Sequence, residues 1–228
     1  ASVGGKTGIN FNGLKNESGA FAPANSVLIE TEFLRTLDAY NFFSGYAEML
    51  KHGLISNTAH WVELLNFNTS NIDYTALKQL VGQSVQVKEN IVEQDPFEHG
   101  IRKALNLGHT VGHAFESMAL AEERPVLHGY AVAWGIVCEL YLSHLKVDFP
   151  KEKMRQTIQF IKDNYGVFTF DCKKYDQLYA FMTHDKKNTS GTINFTLLKD
   201  IGDICINQTA DKDTIFEMLD FYRECMGI

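Results

Sequence analysis

The chain has 228 residues, 45% of them hydrophobic and 21% charged, and carries a formal net charge of -7. That is enough apolar material for one large core or two small ones, and the acidic balance argues against a nucleic-acid partner, whose phosphates call for a basic face. No apolar run reaches the roughly 20 residues of a membrane span and no signal-peptide pattern opens the sequence, so a membrane is not an expected partner either.

In chain order, Val3-Gly4-Gly5-Lys6-Thr7-Gly8 reads as a glycine-rich turn, and Ile9-Asn10-Phe11 as a strand end running into a loop. Val27-Leu28-Ile29 is a short buried-strand candidate. Helical periodicity then covers Asp38 to Ser56, Thr58 to Asn66, Asp73 to Gln94, Ile101 to Ala121, His128 to Lys146, Lys151 to Tyr165 and Tyr175 to His184. Asp38 and Asp73 are suited to N-cap positions, and Pro150 to the first position of a helix. Thr192 to Leu198 and Ile201 to Ile206 form a hairpin around a Lys-Asp-Ile-Gly turn, and Asp211 to Met226 closes the chain as an amphipathic helix. The expected fold class is therefore mainly α, multi-helical, with a small β-hairpin. Cys138, Cys172, Cys205 and Cys225 are widely spaced with no C-x-x-C pair, the pattern of free thiols in a reducing compartment.

Chemistry concentrates between Arg102 and Gly129. On a helix His109 and His113 share a face, with Arg102, Asn106 and His109 stacked along it, and His128 at the next helix start brings a third imidazole. Gly108 and Gly112 each precede one of these histidines and cost about 1 kcal/mol apiece in a helix, which points to a close approach. Neutral imidazole is a favoured zinc ligand, although a His-x-x-x-His pair alone is more often surface or satisfied core. A further partner comes from Ser44 to Gly53, where Glu48, Lys51 and His52 share one face of an apolar helix. Glutamate is rarely buried without a cation, and one Glu with two His is the ligand count of a catalytic zinc.

Three further clusters are each more simply read as solvated loops or faces: the Gly4–Gly8 turn with Lys6 and then Lys15 and Asn16, the run His184-Asp185-Lys186-Lys187-Asn188, and Lys88 on the helix from Asp73. Added to the metal site, they place cationic groups within an acidic protein, a combination that suits a small polyanion.

The strings Ser2 to Gly8, Gly13 to Asn16, Ala47 to Gly53, Leu105 to His113, Leu127 to Gly129 and His184 to Asn188 resemble, in that order, the motifs of the 3-dehydroquinate synthase family. The resemblance implies an NAD- and zinc- (or cobalt-) dependent lyase of the shikimate route. Its reaction converts 3-deoxy-D-arabino-heptulosonate 7-phosphate, a keto-acid phosphate, to 3-dehydroquinate and phosphate. It makes Glu48, His109 and His128 the metal ligands and moves His113 to the substrate side, near the phosphate. Lys6, Asn16, Lys51, Lys88, Arg102, Asn106 and Lys187, with Lys186 beside it, would line the substrate pocket. Lys6, Lys15 and Phe33-Leu34-Arg35-Thr36 would contact NAD. Tyr46, Met49, Leu50 and Tyr130 depart from common family residues without replacing a motif residue.

The resemblance further implies that residues 1–37 are the tail of a nucleotide-binding domain and 38–228 a helical zinc- and substrate-binding domain. The sequence opens inside a motif, so the chain is expected to be a C-terminal fragment, inactive and weak in metal binding by itself. The full-length protein is expected to be a cytoplasmic homodimer. A related sugar-phosphate cyclase, a metal-dependent polyol dehydrogenase such as glycerol dehydrogenase, and a non-enzymatic helical module are the rival readings.

Overall fold

The computed structural model describes residues 3–11, 14–183 and 192–228, the side chains of 9–11 and 14–18 excepted. Its opening hairpin pairs β1 (Lys6–Phe11) antiparallel with β2 (Leu14–Phe21), Lys6 facing Phe21. A strand end and loop were expected here; the second strand, Leu-Lys-Asn-Glu-Ser-Gly-Ala-Phe, has no apolar alternation of its own and is set by its register on β1. Val27-Leu28-Ile29 is not a buried strand. It runs as irregular chain, with Leu28 96% exposed, because no strand lies beside it among the described residues. A turn of 3-10 helix follows at Thr31–Thr36.

Eight α-helices are described: α1 (Ala39–Ser56), α2 (Thr58–Asn66), α3 (Tyr74–Gln94), α4 (His109–Ala121), α5 (His128–Val147), α6 (Lys151–Tyr165), α7 (Tyr175–Thr183) and α8 (Lys212–Met226). Asp38, Asp73 and Asp211 accept amide hydrogens of the first turns of α1, α3 and α8, caps worth about 1 kcal/mol each. Pro150 stands one residue earlier than expected, at the N-cap of α6. The second hairpin, β3 (Asn194–Asp200) with β4 (Asp203–Thr209), turns at Ile201-Gly202, where Gly202 has φ +80°.

The core is organised around α5. Its run from Ala131 to Leu140, apolar but for Glu139, is buried on all sides, as a helix without a polar stripe must be, and it packs against α1, α4, α6, α8 and β3.

The expected single helix from Ile101 to Ala121 is in fact two elements. Ile101–Asn106 is 3-10 helix, and the chain breaks at Gly108 before α4 begins. Gly108 is left-handed, at φ +78°, and a Cβ there would lie 2.6 Å from Ile136 and 2.9 Å from the Val132 carbonyl. Contact with α5 therefore fixes the break, and Arg102, Asn106 and His109 are not stacked on one helical face. Gly112 permits the same approach, since a Cβ would stand 2.8 Å from the Ala131 carbonyl.

Candidate active site

His109 opens α4 and His128 opens α5, so two helix starts deliver two imidazoles to one place. The α5 start is tied to α1 by Ser44, whose Oγ accepts the Gly129 amide hydrogen at 3.1 Å. One turn further along α1 stands Glu48. Its Oε1 lies 3.3 Å from His109 Nε2 and 3.5 Å from His128 Nε2. Two ligands bound at about 2.0–2.2 Å to one tetrahedral ion stand roughly 3.3–3.6 Å apart, so the spacing is that of a shared metal.

The remaining ring nitrogens are held in the way metal-binding histidines require. His109 Nδ1 donates to the Leu107 carbonyl at 3.0 Å and His128 Nδ1 to Glu116 Oε2 at 3.1 Å, leaving each Nε2 with its lone pair. Glu48 Oε1 is buried with no hydrogen-bond partner, whereas Oε2 accepts from Lys51 Nζ at 2.6 Å. An unsatisfied buried carboxylate oxygen facing two imidazole lone pairs is costly unless a cation sits between them. Burial alone would raise the Glu48 carboxyl, but positive charge beside it, the Lys51 ammonium foremost, holds it well below the usual carboxylate range. His113 lies close, its ring centroid 5.4 Å from that of His109 and 5.8 Å from that of His128. Donor nitrogens of the three histidines fall within 4.8 Å of one another.

These groups line a cavity of about 1210 Å³, together with Lys6, Lys51, Lys88, Arg102 and Asn106. Lys88 is thus not a solvated face; burial, then the Lys51 ammonium, pulls its pKa down. Arg102 is 3% exposed and donates to the carbonyls of Pro96 and, at 2.8 Å, Gly4. The glycine-rich turn therefore presents a carbonyl to the arginine.

Asn106 donates to Glu98 Oε1 at 2.7 Å, and Lys6 pairs with the other oxygen of Glu98. Glu98 was passed over in the sequence, since nothing in an acidic residue after Asp-Pro-Phe announces that a left-handed backbone, φ +64°, turns it into a cavity. His52, buried with both ring nitrogens unpartnered, lines the same wall, and burial with the Lys51 charge pushes its pKa down to about 3.

Phe33, Leu34, Arg35 and Thr36 are not brought into this cavity. They stand beside it on the 3-10 turn, where Leu34 lines a smaller apolar cavity of about 210 Å³ that shares Ile29, Met49 and Val81 with the larger one. Lys15 and Asn16 fall in β2, but their side chains lie outside the described residues, as do Lys186 and Lys187. All four cysteines are free, and no helix among the described residues is long and apolar enough to cross a membrane.

A family model described as the 3-dehydroquinate synthase C-terminal matches residues 45–188, and one for the N-terminal part of that enzyme matches residues 1–44. Among curated relatives, a 3-dehydroquinate synthase of Parabacteroides distasonis is 60% identical over the whole chain, which spans 65% of that relative's length. Another, of Oceanobacillus iheyensis, is 38% identical over 99% of the chain and 62% of its own length. The chain thus spans slightly less than two thirds of the length of these two relatives.

Two solved structures share the fold. One is 2-epi-5-epi-valiolone synthase of Streptomyces hygroscopicus with NAD+ and Zn2+ bound, at TM-score 0.84 and 24% identity, over 98% of this chain and 62% of that one. The other is 2-deoxy-scyllo-inosose synthase complexed with carbaglucose-6-phosphate, NAD+ and Co2+, at TM-score 0.79 and 21% identity, over 96% and 62%. With the C-terminal family model covering more than half of its length, the chain belongs to the 3-dehydroquinate synthase family.

Proposed function

We propose that the protein carrying this chain is a 3-dehydroquinate synthase, converting 3-deoxy-D-arabino-heptulosonate 7-phosphate to 3-dehydroquinate and inorganic phosphate. The observation that carries the reading is Glu48 Oε1, set at ligand spacing from His109 and His128 inside a cavity edged by cationic groups. Glu48, His109 and His128 would hold zinc or cobalt. Lys6, Lys15 and the Phe33–Thr36 turn would contact NAD, a reading supported by Leu34, which lines the smaller cavity that shares Ile29, Met49 and Val81 with the larger one. When bound, the metal would polarise the hydroxyl to be oxidised and NAD would take its hydride and later return it.

The chain's own residues bind and orient the substrate. Arg102, whose two terminal nitrogens each keep one hydrogen beyond those given to Pro96 and Gly4, would suit a carboxylate, and Lys6, Lys51 and Lys88 supply point charges for phosphate; Lys187 would add a further charge and Asn16 a neutral hydrogen-bonding amide. Asn106 is placed to hydrogen-bond a hydroxyl in place of Glu98. His113 stands on the substrate side of the ligand pair, near the phosphate. Loss of phosphate needs a C–H proton removed, and the ketone formed by prior oxidation makes that proton far easier to take. The substrate's own phosphate assists, so these side chains chiefly orient the reacting groups and stabilise charge.

Residues 1–37 would close a nucleotide-binding domain, and 38–228 form the helical domain. The four free thiols support a cytoplasmic enzyme, and a homodimer is the assembly expected of the whole protein. The cationic lining favours a phosphate- and carboxylate-bearing substrate over glycerol. In the whole protein loaded with NAD and zinc, the keto-acid phosphate should release inorganic phosphate, and Glu48→Gln should abolish the release. Turnover of a different sugar phosphate or of glycerol, with none of the keto-acid phosphate, would overturn the assignment.

A further inference from the structure

Glu139 is the sole fully buried carboxylate among the described residues, and it sits mid-way along α5, a helix otherwise buried through apolar and small side chains. Its two oxygens are spent on the start of the neighbouring helix. Oε2 accepts the Gly108 amide hydrogen at 2.6 Å, and Oε1 accepts those of Thr110 at 3.0 Å and Val111 at 3.2 Å. The amides on either side of His109 are therefore clamped by one side chain.

A helix start ordinarily takes its cap from its own N-cap residue. Position 108 cannot provide one: it must be glycine to hold φ +78° against Ile136 and Val132, and glycine has no capping side chain. The cap is supplied across the helix pair instead. Charge gives a second reason for a carboxylate there. The first turn of α4 carries about half a positive charge, and a divalent cation bound by His109 would face it. A buried anion at 139 offsets that repulsion. An apolar residue would pack equally well in α5 but would leave three amides without acceptors.

We propose that Glu139 is a positioning residue for the metal centre: it fixes the backbone of His109 so that Nε2 meets Glu48 Oε1, and it compensates the positive end of α4 beneath the cation. This rests on the metal-site reading above. The test uses the whole protein carrying this chain, with Zn2+ affinity measured by chelator competition and the Co2+ absorption spectrum recorded. Glu139→Gln keeps the size, loses the charge and points an NH2 at amide donors. Its metal affinity should fall about 10–100-fold, the range for outer-shell partners, with a shifted Co2+ spectrum.

Trp61→Phe, which removes a remote hydrogen bond to Thr157, should lower the melting temperature and leave metal affinity unchanged. If Glu139→Gln fails to fold, Glu139→Asp, which withdraws the charge by one methylene, should still weaken metal binding and alter the spectrum. Unchanged affinity and spectrum in whichever of these variants folds would overturn the role of Glu139 while leaving the metal site standing. A parent protein that binds no metal would overturn the site itself, and this inference with it.

Discussion

Lys51 divides the Glu48 carboxylate. Its Nζ, on a side chain only 4% exposed, takes Oε2 at 2.6 Å, and Oε1 is left to the two imidazoles. The pair thus links the cationic wall of the cavity to the proposed metal ligands through a single side chain. Glu48→Gln should cost metal affinity beyond the 10–100-fold typical of outer-shell changes. It should also cost about 1–3 kcal/mol of stability, because a buried ammonium loses its partner. Glu48→Gln combined with Lys51→Met should recover most of that stability and none of the metal binding. Urea titration read beside zinc affinity separates the two effects, and restored zinc binding in the double variant would contradict the ligand assignment.

Glu116 holds the second of the proposed metal-binding imidazoles. Its Oε2 accepts from His128 Nδ1 at 3.1 Å, which fixes the tautomer and turns Nε2 toward Glu48. Glu116→Ala should lower zinc affinity about 10–100-fold with little loss of global stability, as the side chain is not fully buried. The melting temperature and a chelator competition, measured together, check both halves of that expectation.

Most helices were legible because their ends are written locally. Asp38, Asp73 and Asp211 each cap the helix that begins directly after them, and the apolar periodicity between caps does the rest. The failures share the opposite property. The break at Gly108 depends on a carboxylate 31 residues later and on the α5 surface, so the 3.6-residue period ran through it unmarked. Glu98 reaches Lys6 through its own left-handed backbone, a conformation its residue type does not announce. The strand at Leu14–Phe21 is decided by its partner, and Val27–Ile29 looked buried because apolar residues in sequence do not say what covers them. Within the site, Glu48, His109, His113 and His128 were visible as types and spacings, whereas the Nδ1 partners that orient them belong to the tertiary structure.

His52 predicts a pH dependence of stability. Burial, reinforced by the Lys51 charge, lowers its folded-state pKa from 6.5 to about 3. Between those values the unfolded chain binds a proton that the folded chain refuses, so stability must fall as the pH drops through this window and be fully present above it. Each unit of difference is worth about 1.4 kcal/mol. His52→Leu should flatten the acid limb of the curve between pH 6.5 and pH 4 relative to the parent. Denaturant midpoints at pH 7.5, 6, 5 and 4 would show it, and parallel curves for parent and variant would refute it.

Gly135 tests how closely the two histidine-bearing helices must approach. A Cβ at this position would overlap the carbonyl oxygen of Gly108 and stand 2.7 Å from the Gly112 nitrogen. Both are backbone atoms at the start of α4, so no side-chain rotation relieves the contact, and α4 must move away from α5. Overpacking of this kind typically costs about 1–3 kcal/mol and can cost more. Because His109 is carried on the displaced end and His128 on the helix that displaces it, Gly135→Ala should weaken zinc binding in addition to lowering the melting temperature. Gly82, where a Cβ meets nothing within 4 Å, supplies the control: Gly82→Ala within α3 should raise stability by up to about 1 kcal/mol with zinc affinity unaltered. Equal zinc affinity in the two variants would show that the spacing of α4 and α5 does not set the ligand geometry.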